Sequence, residues 1–125
     1  MLIQLERDND VCILRLNGRF APGVDAAYLR TKAEEIKGTG LRKMLVDFTA
    51  VPYLDSIGIG FLIGIYTSML KSREGSFAII RANDRVKEVI ALTKLTGIFP
   101  AYKDEPAALK ALREAPGATE SAGQA

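Results

Sequence analysis

Histidine and tryptophan are absent from the 125 residues, and cysteine occurs once, at Cys12. Without an imidazole there is no Ser-His-Asp triad, no His-ligated zinc and no histidine general base. A single thiol excludes an internal disulfide, a C-x-x-C redox pair and a thiolate zinc cage, which leaves Cys12 as a small core residue. An excess of one charge is missing too. Seventeen Lys and Arg face fifteen Asp and Glu, a balance unsuited to neutralising many phosphates, so nucleic acid is not an expected partner. Nor is there a long hydrophobic run. Ile57 to Leu70 is the longest apolar-rich stretch, and Gly60, Gly64, Thr67 and Ser68 interrupt it. A bilayer span needs about 20 apolar residues, so this run reads as a buried helix with no membrane insertion. Charge arrives at Glu6 and Arg7, unlike a signal peptide, and the expected location is the cytoplasm. These absences remove most catalytic, metal and cofactor chemistry and leave a binder or a regulated switch.

What is present is enough for one domain. Hydrophobic residues make up 48% and charged residues 26%, ordinary for a globular chain of this size. The domain is expected over residues 1–115. Residues 116–125, P-G-A-T-E-S-A-G-Q-A, have no apolar periodicity and read as a disordered tail. Ile3, Leu5 and then Val11 to Leu16 form two apolar segments around Asp8-Asn9-Asp10, an antiparallel hairpin ending at Asn17-Gly18. Asp25 to Lys37 carries Leu29, Ala33 and Ile36 on one side of a helix stopped by Gly38 and Gly40. Met44 to Phe48 reads as a strand covered on both faces, and Pro52 makes 49–55 a loop. A long apolar helix follows from Ser56 to about Glu74. Phe77 to Ile80 is a further strand. A third helix is capped by Asn83 or Asp84, with Val86, Val89, Ile90 and Thr93 on its face and Gly97 as its stop. Ile98 to Tyr102 is a short last strand, and Asp104 with Pro106 opens a closing helix through Leu109 and Leu112. The order β-β-α-β-α-β-α-β-α predicts an α/β fold. Its sheet is mixed and mostly parallel, with an opening antiparallel hairpin and helices packed on it.

In such sheets functional groups gather beyond the carboxyl ends of the strands. The distinctive loop runs V-D-F-T-A-V-P-Y-L-D-S-I-G-I-G, residues 46–60, and places Asp55 and Ser56 where the apolar helix begins. One reading makes them plain helix caps, each worth about 1 kcal/mol. The other makes Ser56 a phosphoacceptor at a helix N-terminus, where backbone N–H groups and the helix dipole receive an anion. Asp47 is read as a strand-end carboxylate that bonds loop amides, ahead of any part in orienting Ser56. Gly60 and Gly64 are expected to allow close helix–sheet contact. Gly58-x-Gly60 lacks a third glycine at Ile63 and an acidic residue near Ala78, so it is no dinucleotide fingerprint. Arg81, Arg85 and Lys87 read as a solvated helix start.

The stretch L-V-D-F-T-A-V-P-Y-L-D-S-I-G-I-G-F-L, with Asn17-Gly18-Arg19-Phe20 before it, resembles the core signature of the STAS domain found in bacterial anti-sigma factor antagonists and sulfate-transporter tails. The resemblance runs from the first strand to about Ala115. It implies a STAS-like fold, no catalysis and no cofactor, and Ser56 as the serine phosphorylated by an ATP-binding anti-sigma factor kinase. The unphosphorylated protein would bind that kinase, phosphorylation would release it, and a phosphatase would reset the system. Asp55 and Asp47 would support the site, while Asp25, Ile57 and Gly58 would meet the partner. The family's phosphorylated members commonly carry an acidic residue where this chain has Ala21, and Asp25 is the nearby candidate to replace it. The alternative implied function is a stand-alone STAS subunit of a lipid ABC-type or permease complex, with Ser56 acting only as a cap.

Overall fold

A computed structural model describes residues 2–18, 26–67, 75–94, 97 and 99–114. Strands β1 (Leu2–Asp8) and β2 (Val11–Asn17) are joined by a two-residue turn in which Asn9 takes φ +56°. Asn tolerates that left-handed geometry better than most residues. Then follow α1 (Ala26–Gly38), β3 (Lys43–Ala50), α2 (Ser56–Ile65), β4 (Ser76–Ile80), α3 (Asp84–Leu92), β5 (Ala101–Tyr102) and α4 (Glu105–Glu114). The five strands form one sheet in the order β1-β2-β3-β4-β5, antiparallel between β1 and β2 and parallel thereafter. The predicted element order and mixed sheet are therefore observed.

Strand alternation sorts the side chains onto two faces. Cys12, Leu14, Leu16, Met44, Val46, Phe48, Phe77 and Ile79 face α1, α2 and α3 and form the larger core. Val11, Ile13, Leu45, Ala78 and Ile80 meet Ala108, Leu109 and Leu112 of α4 on the other face. Burial pushes the Cys12 thiol up to about 11, with a smaller opposing pull from Arg7, so this cysteine is the inert core residue expected. Lys43 is a surprise. It is 1% exposed, and its Nζ lies 3.3 Å from Asp10 Oδ2 while donating to the Arg113 carbonyl at the end of α4. A buried ammonium there is matched by a carboxylate and by the negative end of the helix.

Three boundaries differ from expectation for identifiable reasons. β3 runs on to Ala50, because an extra residue in β3 shifts the register opposite Arg15–Asn17, pairing resumes between Asn17 and Ala50, and the Gly18 N–H reaches the Ala50 carbonyl at 2.9 Å. α3 ends at Leu92 and not near Gly97. Thr93 caps it with its hydroxyl on the Val89 and Ile90 carbonyls, and Lys94 adopts φ +61°, the conformation usually left to glycine. β5 is only Ala101–Tyr102, since Phe99 turns inward against Phe77 and Tyr66. Expectations for residues 19–25, 68–74, 98 and 115–125, including Ala21, Asp25, the far end of the apolar helix and the tail, lie outside the described residues.

Gly60 and Gly64 do not serve close helix–sheet contact. Both lie on the outward side of α2, and a Cβ at either would meet nothing within 4 Å. They border an open groove of about 360 Å³ between α1 and α2, floored by Leu29, Ala33, Ile57 and Phe61. Since interior helical glycine costs about 1 kcal/mol relative to alanine, Gly60→Ala is expected to stabilise the protein by about 0.5–1 kcal/mol. Thermal unfolding checks this, and a lowered midpoint would show that the site is tighter than its geometry indicates.

Candidate functional site

The loop 51–55 leaves the carboxyl end of β3 and is anchored from below. Val51 and Leu54 are buried in the larger core, and the Val51 N–H returns to the Phe48 carbonyl at 3.0 Å. Tyr53 lies between these anchors, with the Arg85 guanidinium 5.5 Å from its ring centroid. Asp55 is the N-cap of α2. Its backbone is extended, and its Oδ1 accepts from both the Ile57 and the Gly58 N–H at 3.0 Å. Ser56 is the first helical residue and is exposed. The structure thus divides the two roles: Asp55 caps, and the Ser56 side chain stands in solvent beside it.

α2 carries no charged side chain anywhere from Ser56 to Ile65. Its buried side is Gly58, Ile59, Leu62 and Ile65, while Ser56, Gly60, Ile63 and Gly64 are exposed and Ile57 and Phe61 are half-buried. Gly58 was expected on a partner surface. Helical rotation instead turns it toward the sheet, where its N–H serves the Asp55 cap, so Ile57, Gly60 and Ile63 are the groups next to Ser56 that a partner could reach.

Asp47 points to the opposite face of the sheet. It is buried, and its Oδ1 accepts from the Thr49 N–H and hydroxyl while Oδ2 accepts from Arg15 Nη1 at 2.8 Å. Its bonds therefore go to Thr49, which is still part of β3, and to Arg15 of β2, and not to amides of the 51–55 loop. Arg15 is the residue sequence reasoning overlooked. Its guanidinium also forms a fork onto Glu105 at 2.8 and 3.2 Å and lies 3.1 Å from Glu6 Oε1. One cation thereby ties β1, β2, β3 and the first turn of α4 together. Bonding to Glu105, then to Glu6, raises the Arg15 pKa despite burial. Burial alone would raise the Asp47 carboxyl, but Thr49 and Arg15 outweigh it and hold the group below its usual range. The Arg15 fork likewise depresses Glu105. Only a period-two reading of β2 against an acidic helix start could have hinted at this cluster.

Among the described residues no group of three or more His, Cys, Asp and Glu could hold a metal ion, and no helix is long and apolar enough to cross a membrane. What the geometry offers is an exposed hydroxyl at a helix start, next to a charge-free strip.

Comparison with known proteins agrees with this architecture. The STAS domain profile matches residues 3–108. A Thermotoga neapolitana protein provisionally named an anti-sigma factor antagonist is 32% identical over 95 residues, covering 74% of this chain and 81% of that protein. The anti-sigma F factor antagonist of Paenibacillus polymyxa is 24% identical over 110 residues, 88% of this chain and 93% of that protein. Among solved structures, an anti-sigma factor antagonist from Mycobacterium paratuberculosis superposes with a TM-score of 0.77 at 25% identity, covering 90% of this chain and 94% of that one. The chain belongs to the STAS domain family.

Proposed function

We propose that the protein is an anti-sigma factor antagonist, a non-catalytic cytoplasmic regulator of transcription whose binding is switched by phosphorylation of Ser56. Its relatives named as antagonists support the first part. The observation that carries the second is the exposure of Ser56 at the start of the charge-free helix α2, with Asp55 already acting as the cap. The partner is an ATP-binding anti-sigma factor that is also a serine kinase. Unmodified, the strip Ser56, Ile57, Gly60 and Ile63 docks on it by apolar contact. The kinase transfers the γ-phosphoryl of its ATP to Ser56 Oγ, releasing ADP and the hydroxyl proton. The product carries about −1.5 to −2 charge where no lysine or arginine of α2 can answer it. A phosphatase hydrolyses the ester and restores binding.

The test is intact-mass analysis after incubation with ATP and extract of the source cells. One phosphate is expected on the wild-type protein and none on Ser56→Ala. A wild-type mass that does not change, or a phosphate that persists in Ser56→Ala, removes Ser56 as the switch.

A further inference from the structure

The Ser56 loop is held from the side by a residue of another element. Asn83 ends the turn after β4, and its Oδ1 accepts the Val86 N–H at 2.8 Å to cap α3. That bond fixes the orientation of the amide, since the flipped form would set an NH2 group against an N–H donor. The Nδ2 then points back across the sheet end, donating to the Pro52 carbonyl at 2.9 Å and weakly to the Val51 carbonyl at 3.4 Å. Two residues on, the Arg85 guanidinium lies over the Tyr53 ring. Val51, Pro52 and Tyr53 are the residues that lead into Asp55 and Ser56. Their own side chains fix Val51 and Leu54 in the core, but Pro52 and Tyr53 are steered by α3.

We infer that Asn83 is a positioning residue for Ser56. Its acceptor side caps α3, and its donor side clamps the 51–55 loop so that the serine is presented in one place to the partner's kinase site. The inference rests on Ser56 being the phosphoacceptor. Pre-formed loop geometry favours transfer because reacting groups must meet within a narrow distance and angle.

The two halves of the amide can be separated. Asn83→Asp keeps an oxygen for the Val86 N–H, since Asp caps as well as Asn does, but it replaces the donor with a carboxylate facing two carbonyl oxygens. Asn83→Ser also caps, yet it is too short to reach Pro52 and adds no charge. Both variants should unfold within a few degrees of wild type with α3 amides protected as before. Amides of residues 54–58 should exchange about tenfold faster, as expected when a local restraint is lost without global unfolding. In cell extract with labelled ATP, the protein concentration giving half-maximal Ser56 labelling should rise about fivefold to tenfold while the saturating rate changes little, since the kinase must then order the loop as it binds and the bound serine reacts from the same geometry. Unchanged loop exchange in both variants overturns the clamp. Faster exchange with unaltered labelling overturns the positioning role. If wild type takes no label at all, phosphorylation of Ser56 fails as a reading, and the clamp is then judged by the exchange data alone.

Discussion

Arg15→Met is expected to destabilise the protein by about 1–3 kcal/mol at pH 7, between the small value of an exposed ion pair and the larger cost of stranding a buried charge, since Asp47 is buried while the other members of the cluster are partly exposed. Methionine retains the apolar length of the stem, so the cost is electrostatic. Asp47, which is buried, would keep Thr49 but lose its cation, and Glu105 would face it with only the weaker pull of Arg81. The pH dependence carries the diagnosis. In the wild type both carboxyls are held below their unfolded values. The stability they contribute is therefore complete above the unfolded carboxylate range near pH 4 and is lost as pH falls through their lower folded values. In Arg15→Met the Thr49 bonds remain but the pull of Arg15 is gone, so the folded Asp47 and Glu105 carboxyls move up from their wild-type positions and protonation costs the variant less than it costs the wild type. The deficit of the variant should shrink as pH falls through the carboxylate range near pH 4 and below. Urea unfolding at several pH values reads this directly, and a constant deficit would show that Arg15 acts through packing. Adding Glu105→Gln to Arg15→Met should recover part of the loss, because the repulsion between the two carboxylates disappears.

The contrast between Arg15 and Ser56 shows how far the sequence can be read. Alternation in Val11 to Leu16, the apolar block at Met44 to Phe48 and the Asp/Asn caps at 55, 83 and 104 are local signals, and each element they predict is present. Asp55 and Ser56 are adjacent in the chain, so their place at a helix start was also legible. The Arg15 cluster joins residues 32 and 90 positions apart, and the Asn83 clamp spans 31. No period or motif encodes such pairs, because they exist only once the strand order is fixed. Glycine misled for a related reason. Gly60 and Gly64 were expected at a close contact with the sheet, but helical rotation turns both outward and buries Gly58. Lys43 was passed over because a lysine beside an apolar strand reads as a solvated boundary, whereas Asp10 and the end of α4 close over it.

Phosphorylation of Ser56 should weaken binding to the anti-sigma factor about a hundredfold, which corresponds to roughly 3 kcal/mol. The electrostatics act on the complex and not on the fold. In the free protein the phosphate lies in solvent at a helix N-terminus, where the dipole favours an anion by about 0.3–1 kcal/mol. The adjacent Asp55 carboxylate, already bonded to the Ile57 and Gly58 N–H groups, offsets that gain by repulsion. Stability should therefore change little. In the complex the same group must be stripped of water against Ile57, Gly60 and Ile63, and α2 provides no cation to replace the lost hydration. Ser56→Asp carries about half to two-thirds of the charge and no tetrahedral oxygen set, so it should weaken binding by about tenfold, short of the full switch. Ser56→Ala should bind within about twofold of wild type, since an exposed hydroxyl next to an independent cap contributes little. Calorimetric titration of the four forms against the purified anti-sigma factor gives the ranking, and unfolding of the free forms gives the control. Equal affinities for Ser56→Ala and the phosphorylated protein would eliminate charge as the switching force. A parallel loss of stability and binding would mean instead that the phosphate breaks the Asp55 cap and unwinds the start of α2.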